Sequence, residues 1–159
     1  MTIKKIVLFL FTLLLISLLM GACQSKDEET GLPRWSFGVE GADIKVFSTF
    51  DTAKMKKVSM KVERIEDGTL VTDEVTGIPM KEILDFLGVS SYSSVTVISK
   101  TGSEENYLPD ILEDPGTLLV DEVNGKSVWD ETTETVQLIS GKLPEARWIW
   151  HVKTLKVNP

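Results

Sequence analysis

Apolar and polar residues alternate along many short stretches of this chain, a pattern that is typical of β-strands with one buried face. The stretches that predict strands are residues 35–39, 58–62, 69–72, 94–99, 118–123, 126–129, 136–139, 148–152 and 155–157. Two pairs of these stretches are joined by turn sequences, Asp67-Gly68 and Asn124-Gly125, that favour tight hairpins. The alternation therefore predicts a fold that consists mainly of β-structure.

One segment, residues 76–89, has the periodicity of a helix. Its apolar residues follow the i, i+3, i+4, i+7 spacing of a buried helix face and are Met80, Ile83, Leu84 and Leu87. Pro79 suits the first helical position, and Gly88 stands where a left-handed C-terminal cap is expected. Shorter helical turns are predicted within residues 51–57 and within the acidic segment 104–115. Many strands with one or two helices predict a β-rich α+β domain.

The first 22 residues have the pattern of an export signal. Lys4 and Lys5 precede an uncharged run over residues 6–20, and the order LMGAC ends at Cys23. That order resembles the bacterial lipobox, in which the cysteine is lipidated and becomes the mature N-terminus, although Met20 is an unusual residue there. An uncleaved transmembrane anchor is the alternative, but a spanning helix needs about 20 apolar residues and this run is shorter.

The chain is therefore predicted to have three segments. Residues 1–22 form a lipoprotein signal peptide, residues 23–33 form a lipidated tether, and residues 34–159 form one folded domain. The tether sequence QSKDEETGLP is polar and charged, as flexible linkers are. Two or more acyl chains anchor a protein stably, so we expect the protein to be extracytoplasmic and lipid-anchored to the bacterial cell membrane.

Composition excludes several classes of function. The 159 residues include 17 basic and 24 acidic side chains, a formal net charge of -7, so no nucleic-acid partner is expected. With one cysteine and one histidine, the chain has neither a disulfide framework nor a cysteine-rich metal site. No Walker, Rossmann, G-x-S-x-G or H-E-x-x-H motif occurs. Nucleophilic catalysis therefore has no visible machinery.

Three segments follow one another in the C-terminal body: VTGIPMKEILDFLGV, then VDEVNGKSV, then VQLISGKLPEARWIWHVKTLKV. Their order resembles the molybdopterin-binding domain of the sulfite-oxidase type. The resemblance covers about residues 58–157 and is one of pattern rather than of identity. It implies a single α+β, mixed-sheet domain whose strands and loops form a pterin-binding cleft.

The chain departs from that family pattern at the positions that carry its chemistry. The resemblance implies a molybdenum-ligating cysteine at the end of the strand before the helix, where this chain has Val62, Glu63 and Arg64. Gln137 stands in place of an arginine, and Trp150 stands in place of a lysine that faces the cofactor phosphate. A carboxylate or a guanidinium cannot replace a thiolate ligand. The resemblance therefore implies a retained scaffold that binds either no cofactor or a pterin without molybdenum.

Six residues are candidates for contacting a ligand: Arg64, Gln137, Arg147, Trp148, Trp150 and His151. In a strand over residues 148–152, Trp148 and Trp150 would share one face and could stack on a planar heterocycle. Arg147 and His151, on the opposite face, would supply hydrogen bonds. We expect Trp150 to line the cleft and Trp148 to be partly exposed at its rim.

Each candidate also has a purely structural interpretation. At least one of the two tryptophans is expected to fill the core. His151 alone cannot form a metal site and is more often a hydrogen-bonded structural residue. Arg64 has acidic neighbours with which it could form a surface ion pair: Glu63, Glu66 and Asp67.

These observations favour a membrane-anchored, extracytoplasmic, non-catalytic domain that binds a pterin or a similar planar heterocycle. Two alternatives stay open. One is a molybdopterin-dependent oxidoreductase subunit with altered metal ligation. The other is an interaction module that uses the cleft or a sheet edge to hold a membrane or surface protein.

Overall fold

The computed structural model describes residues 34–129 and 135–159. The strands are β1 (Ser36–Glu40), β2 (Val46–Ser48), β3 (Val58–Glu66), β4 (Thr69–Pro79), β5 (Ser94–Ser99), β6 (Glu104–Tyr107), β7 (Thr117–Val123), β8 (Lys126–Ser127), β9 (Gln137–Ser140) and β10 (Val152–Asn158). The α-helices are α1 (Met80–Phe86) and α2 (Pro109–Leu112), and 3-10 turns cover Asp51–Lys54 and Glu145–Arg147. The signal peptide and tether predicted for residues 1–33, with Cys23, lie outside these residues. Within the described ranges no helix has the length and apolarity that crossing a bilayer requires.

The strands form two five-stranded sheets, which confirms the predicted β-rich α+β class. The first sheet has the order β2-β1-β10-β5-β6, with β1 and β10 parallel and the other pairs antiparallel. The second has the order β3-β4-β7-β8, and β9 pairs with the first half of β7. Both predicted hairpin turns are present, with Asp67, Gly68, Asn124 and Gly125 all at positive φ.

The main core lies against one face of each sheet and includes the buried side of α1. All four apolar residues predicted for the helix face are buried, and each contributes about 1.5–3 kcal/mol by leaving water. Gly88 has φ +73°, as the predicted C-terminal cap requires. The helix is shorter than its sequence pattern suggested, because β4 runs on to Pro79, which has an extended ψ of 132°.

The second sheet is covered on both faces. Leu119 and Leu138 point into the main core, whereas Leu118, Val120 and Ile139 belong to a second, smaller cluster with Trp148. Because successive side chains of a strand point to opposite faces, this cluster lies on the face turned away from the main core. We call this face the outer face of the second sheet.

The prediction of a strand over residues 148–152 is wrong. The 3-10 turn ends at Arg147, and only Ile149 forms a bridge, with Leu138. His151 has φ +61°, a left-handed conformation that interrupts extended pairing. The final strand therefore begins only at Val152, and it absorbs the separate strand predicted over residues 155–157.

The acidic segment 104–115 contains the predicted helical turn and, before it, a strand that was not predicted. Its first part forms strand β6, which pairs with β5, and only α2 is helical. Tyr107 is buried and its hydroxyl donates to the Arg147 carbonyl oxygen at 2.6 Å. Strand pairing and this buried hydrogen bond position the first part of the segment, and the helical turn predicted within it is α2.

The first testable prediction concerns Gly77, where β4 and β7 approach each other closely. The pairing of the two strands is irregular between Thr76 and Gly77, and a Cβ at Gly77 would lie 2.2 Å from the Leu119 carbonyl oxygen. The backbone must move to admit that atom, so Gly77→Ala should lower the free energy of unfolding by about 1–3 kcal/mol. Urea denaturation measures the change.

Gly38 in β1 offers a matched control, since it too is a glycine inside a strand. A Cβ added at Gly38 would have Thr154 Oγ1 as its nearest atom, at 3.7 Å. This is an ordinary contact distance. Gly38→Ala should change the free energy of unfolding by less than about 1 kcal/mol. Equal losses for the two variants would contradict the prediction.

Candidate functional site

A cavity of about 330 Å³ lies on the outer face of the second sheet. Its apolar walls come from the second cluster and include Val62, Val75, Ile139 and Trp148. Its polar side chains are Arg64, Asp73 and Gln137, and Trp150 completes the lining. We call this space the outer cavity.

Strand periodicity explains why these residues meet. Val62 and Arg64 are two apart on β3, Asp73 and Val75 are two apart on β4, and β9 supplies Gln137 and Ile139 in the same way. Residues two apart on a strand share a face. The register of the β3–β4 hairpin sets Val62 directly opposite Asp73, so every pair reaches the same space.

The two tryptophans have different environments. Trp148 is 6% exposed, and its indole N–H donates to the carbonyl oxygens of Ser140 at 3.0 Å and Leu143 at 3.2 Å. Trp150 is 38% exposed and its ring lies 6.2 Å from that of Trp148 at an angle of 58°. The expectation that Trp148 is partly exposed at a rim is wrong: Trp148 belongs to the core and Trp150 is the exposed ring.

Arg64 is held in an ion-pair network at the polar side of the cavity. Its Nε donates to Asp73 Oδ2 at 2.5 Å, and its Nη2 donates to Glu66 Oε2 at 3.1 Å. The predicted pair with Glu66 is therefore present, but the shorter bond is to Asp73. The guanidinium and the Asn124 amide, which donates to Asp73 Oδ1 at 2.8 Å, hold the pKa of Asp73 below its usual range.

Gln137 supplies an acceptor that has no partner. Its Oε1 is buried and forms no hydrogen bond within the described residues. A buried polar atom without a partner costs about 1–3 kcal/mol, so such atoms are rare in folded proteins. A ligand that donates a hydrogen bond in the outer cavity would remove this cost.

The structure brings four of the six candidate residues together at the outer cavity: Arg64, Gln137, Trp148 and Trp150. Arg147 lies elsewhere, since its Nε donates to Glu105 Oε1 at 2.6 Å and its Nη2 contacts the same carboxylate oxygen. It lines a second depression of about 520 Å³ beside Glu104 and Glu105, which Trp148 and Trp150 also line. The arginine ties the irregular segment to β6.

His151 does not line the outer cavity. Its Nδ1 lies 3.0 Å from Thr135 Oγ1, and its carbonyl oxygen accepts from the Lys100 N–H at 2.8 Å. These contacts match the structural interpretation of this histidine. Arg147 and His151 were expected to lie on the same face of a strand. Residues 147–151 do not form a strand, so this expectation does not hold.

Sequence reasoning missed Asp73, although a signal was present. Val71, Asp73 and Val75 occupy alternate positions, so a carboxylate stands in the apolar phase of the strand. A charge in such a position requires a partner. The partner comes from the neighbouring strand, and Asn124 in the β7–β8 turn completes its contacts.

The residues of the outer cavity do not fit the molybdenum cofactor that the resemblance would imply. Among the described residues that line the cavity there is no thiolate and one cationic side chain, Arg64, which is paired with Asp73 and Glu66. Within the described ranges, no cluster of three or more histidine, cysteine, aspartate or glutamate side chains is arranged to hold a metal ion. A phosphorylated, thiolate-ligated group would find neither its ligand nor its counter-charge here.

The second prediction concerns the Asp73 carboxylate. A carboxylate whose pKa is lowered by folding stabilises the protein above its unfolded pKa of about 3.9, and this stabilisation is lost as the pH falls below that value. Asp73→Asn should therefore lower the free energy of unfolding by about 2 kcal/mol at pH 7. The difference from the wild type should shrink between pH 5 and pH 3, in urea titrations at each pH.

Asp85→Asn is the control, because Asp85 pairs with exposed Lys81 at 2.7 Å on the surface of α1. Such exposed pairs contribute little, so the midpoint should stay close to that of the wild type. A deficit in Asp73→Asn that is the same at pH 7 and pH 3 would show that the charge of Asp73 is not what stabilises the fold.

Comparison with known proteins supports the fold. No protein-family model matches the chain, and no curated protein matches it. Among solved structures, it is similar to the sulfane dehydrogenase SoxCD of Paracoccus pantotrophus, with a TM-score of 0.62 and 14% sequence identity. The similarity covers 80% of this chain and 39% of that one. At this identity it establishes a shared fold, in agreement with the sheet-rich α+β domain that the sequence resemblance implied.

Proposed function

We propose that this protein is a lipid-anchored, extracytoplasmic, non-catalytic domain that binds a pterin or a similar uncharged planar heterocycle in the outer cavity. The observation that carries the proposal is the arrangement of Trp150 and Gln137, an exposed aromatic ring and an unpartnered buried acceptor lining one cavity. Ligand pockets are commonly concave, mostly apolar, and of about 300–1,000 Å³ with a few polar groups. The outer cavity has these properties.

Trp150 provides the stacking surface. Its ring is more exposed than that of Trp148 and is supported by it. An aromatic pair contributes about 0.5–1.5 kcal/mol beyond the burial of its area. A flat heterocycle that enters the outer cavity would stack on the part of this ring that lines the cavity.

The polar groups favour a ligand that carries N–H donors. Gln137 Oε1 needs one donor, and a pterin presents ring N–H and amino groups along one edge. Arg64 cannot serve as a free cation for phosphate, since Asp73 and Glu66 already neutralise it. The site should therefore prefer an uncharged heterocycle to its phosphorylated form.

The similarity to a dehydrogenase fold supports the scaffold of this proposal and does not extend to its chemistry. An oxidoreductase subunit with altered ligation would need a metal ligand in the cavity, where the cysteine of the family pattern is replaced and Arg64 is paired. Analysis of the native-host protein for molybdenum and tungsten separates the two functions. The anchor rests on the lipobox at Cys23, and the mass of the N-terminal peptide tests it.

The third prediction is that Trp150→Ala abolishes pterin binding and has little effect on stability. Because its ring is partly exposed, the free energy of unfolding should fall by less than about 1.5 kcal/mol, whereas removing a buried tryptophan costs about 3–5 kcal/mol. Isothermal titration calorimetry with unsubstituted pterin gives the affinity, because its signal does not depend on the ring that the variant removes. Urea denaturation of the ligand-free protein gives the stability.

Trp148→Ala is the matched control for that measurement, and it should lose the larger amount of stability. A phosphorylated pterin should bind the wild type more weakly than the unphosphorylated compound. A large loss of stability in ligand-free Trp150→Ala would assign Trp150 to the core. Unchanged pterin affinity in that variant would remove the proposed site.

A further inference from the structure

The surface around Phe50 and Phe86 carries exposed aromatic side chains that the outer cavity does not use. Phe50 is 48% exposed and Phe86 is 42% exposed. Phe86 packs edge-on against buried Phe47 at 5.8 Å, and Phe47 is three residues before Phe50. We call Phe50, Phe86 and the 3-10 turn Asp51–Lys54 between β2 and β3 the aromatic shoulder.

A hydrogen bond joins the segment just after the 3-10 turn to α1. The Lys56 N–H, just after the 3-10 turn, donates to Glu82 Oε1 of α1 at 3.0 Å. Glu82 and Phe86 are four residues apart and so lie on the same side of the helix. The segment that follows Phe50 therefore lies beside the side of α1 that carries Glu82 and Phe86.

The segment that carries Phe50 is rich in lysine, although Asp51 lies in the aromatic shoulder and Glu82 lies beside Lys56. Residues 45–61 contain five lysines and one aspartate, whereas the whole chain has a net charge of -7. Lys57 is paired with Asp121 at 2.6 Å. Lys54 and Lys56 are exposed, and neither ammonium group has an ion-pair partner within the described residues. Exposed aromatics beside free lysines are typical of surfaces that lie in a membrane interface.

The point where the chain enters the domain is beside the same surface. The N–H of Arg34, the first described residue, donates to Thr49 Oγ1 at 3.0 Å, and the Thr49 N–H donates to the Trp35 carbonyl oxygen at 3.2 Å. Thr49 precedes Phe50 directly. Arg34 is eleven positions after Cys23, a chain length that spans about 20 Å when flexible and at most about 40 Å.

We infer that the aromatic shoulder is a membrane-docking surface, with Phe50 and Phe86 in the interface of an anionic bilayer and Lys54 and Lys56 facing its headgroups. The inference rests on the lipid anchor of the proposed function, which holds the entry point of the domain close to the bilayer. Each lysine near an anionic leaflet favours the bound state about fivefold. Together, the anchor and the aromatic shoulder orient the domain on the membrane.

The test uses the full chain, expressed in a bacterial host that exports and lipidates lipoproteins. The purified protein is placed in vesicles of equal parts phosphatidylglycerol and phosphatidylcholine, some of whose lipids carry a nitroxide quencher. Ala53→Cys puts a fluorophore on the exposed residue between Phe50 and Lys54. Thr69→Cys puts the same fluorophore near Ile65 and Leu70, a second exposed apolar pair at the tip of the β3–β4 hairpin.

The expected result is quenching several-fold stronger at position 53 than at position 69. In the Ala53→Cys protein, Phe50→Ser or the pair Lys54→Glu and Lys56→Glu should reduce quenching to the level at position 69. Vesicles of pure phosphatidylcholine should also reduce it. The side chains of Phe50, Lys54 and Lys56 are exposed, so these substitutions should not unfold the protein. An unchanged midpoint of urea denaturation confirms that each variant is folded.

Equal quenching at positions 53 and 69 in anionic vesicles would overturn the inference. A label at position 53 that is shielded from water but not quenched would also overturn it, since the surface would then be covered by protein, either a second copy or a partner. Any fluorophore on Cys23 is the same in the Ala53→Cys and Thr69→Cys proteins. The difference in quenching between them therefore reports docking whether or not Cys23 is lipidated. The mass of the N-terminal peptide reads lipidation separately, which keeps failure of the anchor distinct from failure of docking.

Discussion

The outer cavity depends on the burial of one side chain, the Trp148 indole, against the outer face of the second sheet. A buried tryptophan needs an acceptor for its N–H, and the carbonyl oxygens of Ser140 and Leu143 supply two. The next residue, Ile149, exchanges backbone hydrogen bonds with Leu138 of β9 on the opposite side of the segment. These contacts position a segment without regular structure, and Trp150 is thereby held beside the cavity.

The second sheet can build a cavity because the main core uses only one of its faces. Its outer face carries a small apolar cluster. The Arg64–Asp73 ion pair lies on the same face, at two positions that an apolar side chain could have occupied. A buried charge is costly unless it is paired and hydrogen-bonded. Here each oxygen of Asp73 accepts a hydrogen bond, from Arg64 and from Asn124. The result is a polar wall without net charge, which distinguishes this cavity from a site for phosphate.

Local patterns predicted the elements whose signals are complete within a few residues. The buried face of α1, its glycine cap and both hairpin turns were predicted because spacing and turn chemistry determine them. The resemblance to a known domain suggested that Arg64, Gln137 and Trp150 would meet, and the structure brings them to one cavity. Residues 148–152 were predicted as a strand because their side chains alternate, and no glycine or asparagine signalled the positive φ of His151.

Other features of the site depended on pairing between distant segments. Asp73 could be recognised as unusual from β4 alone, but its partner became evident only from the register that sets β3 beside it. The burial of Trp148 likewise depends on the Ser140 and Leu143 carbonyls, which alternation within residues 148–152 does not encode. Periodicity assigns a side chain to a face, but it does not say which faces the tertiary fold will cover.

The residues assigned to function are those that depart from the rules by which the rest of the chain folds. Gln137 leaves a buried acceptor without a partner, and Trp150 leaves a large ring exposed beside a cavity. Phe50, in the turn after β2, and Phe86, at the end of α1, leave aromatic rings exposed beside the unpaired Lys54 and Lys56 of the described ranges. Such departures lower stability without a compensating contact inside the domain, and they are expected where a sequence serves a ligand or a surface outside it. Because the two groups lie on different elements and share no side-chain contact in the described ranges, a change in one should leave the other intact.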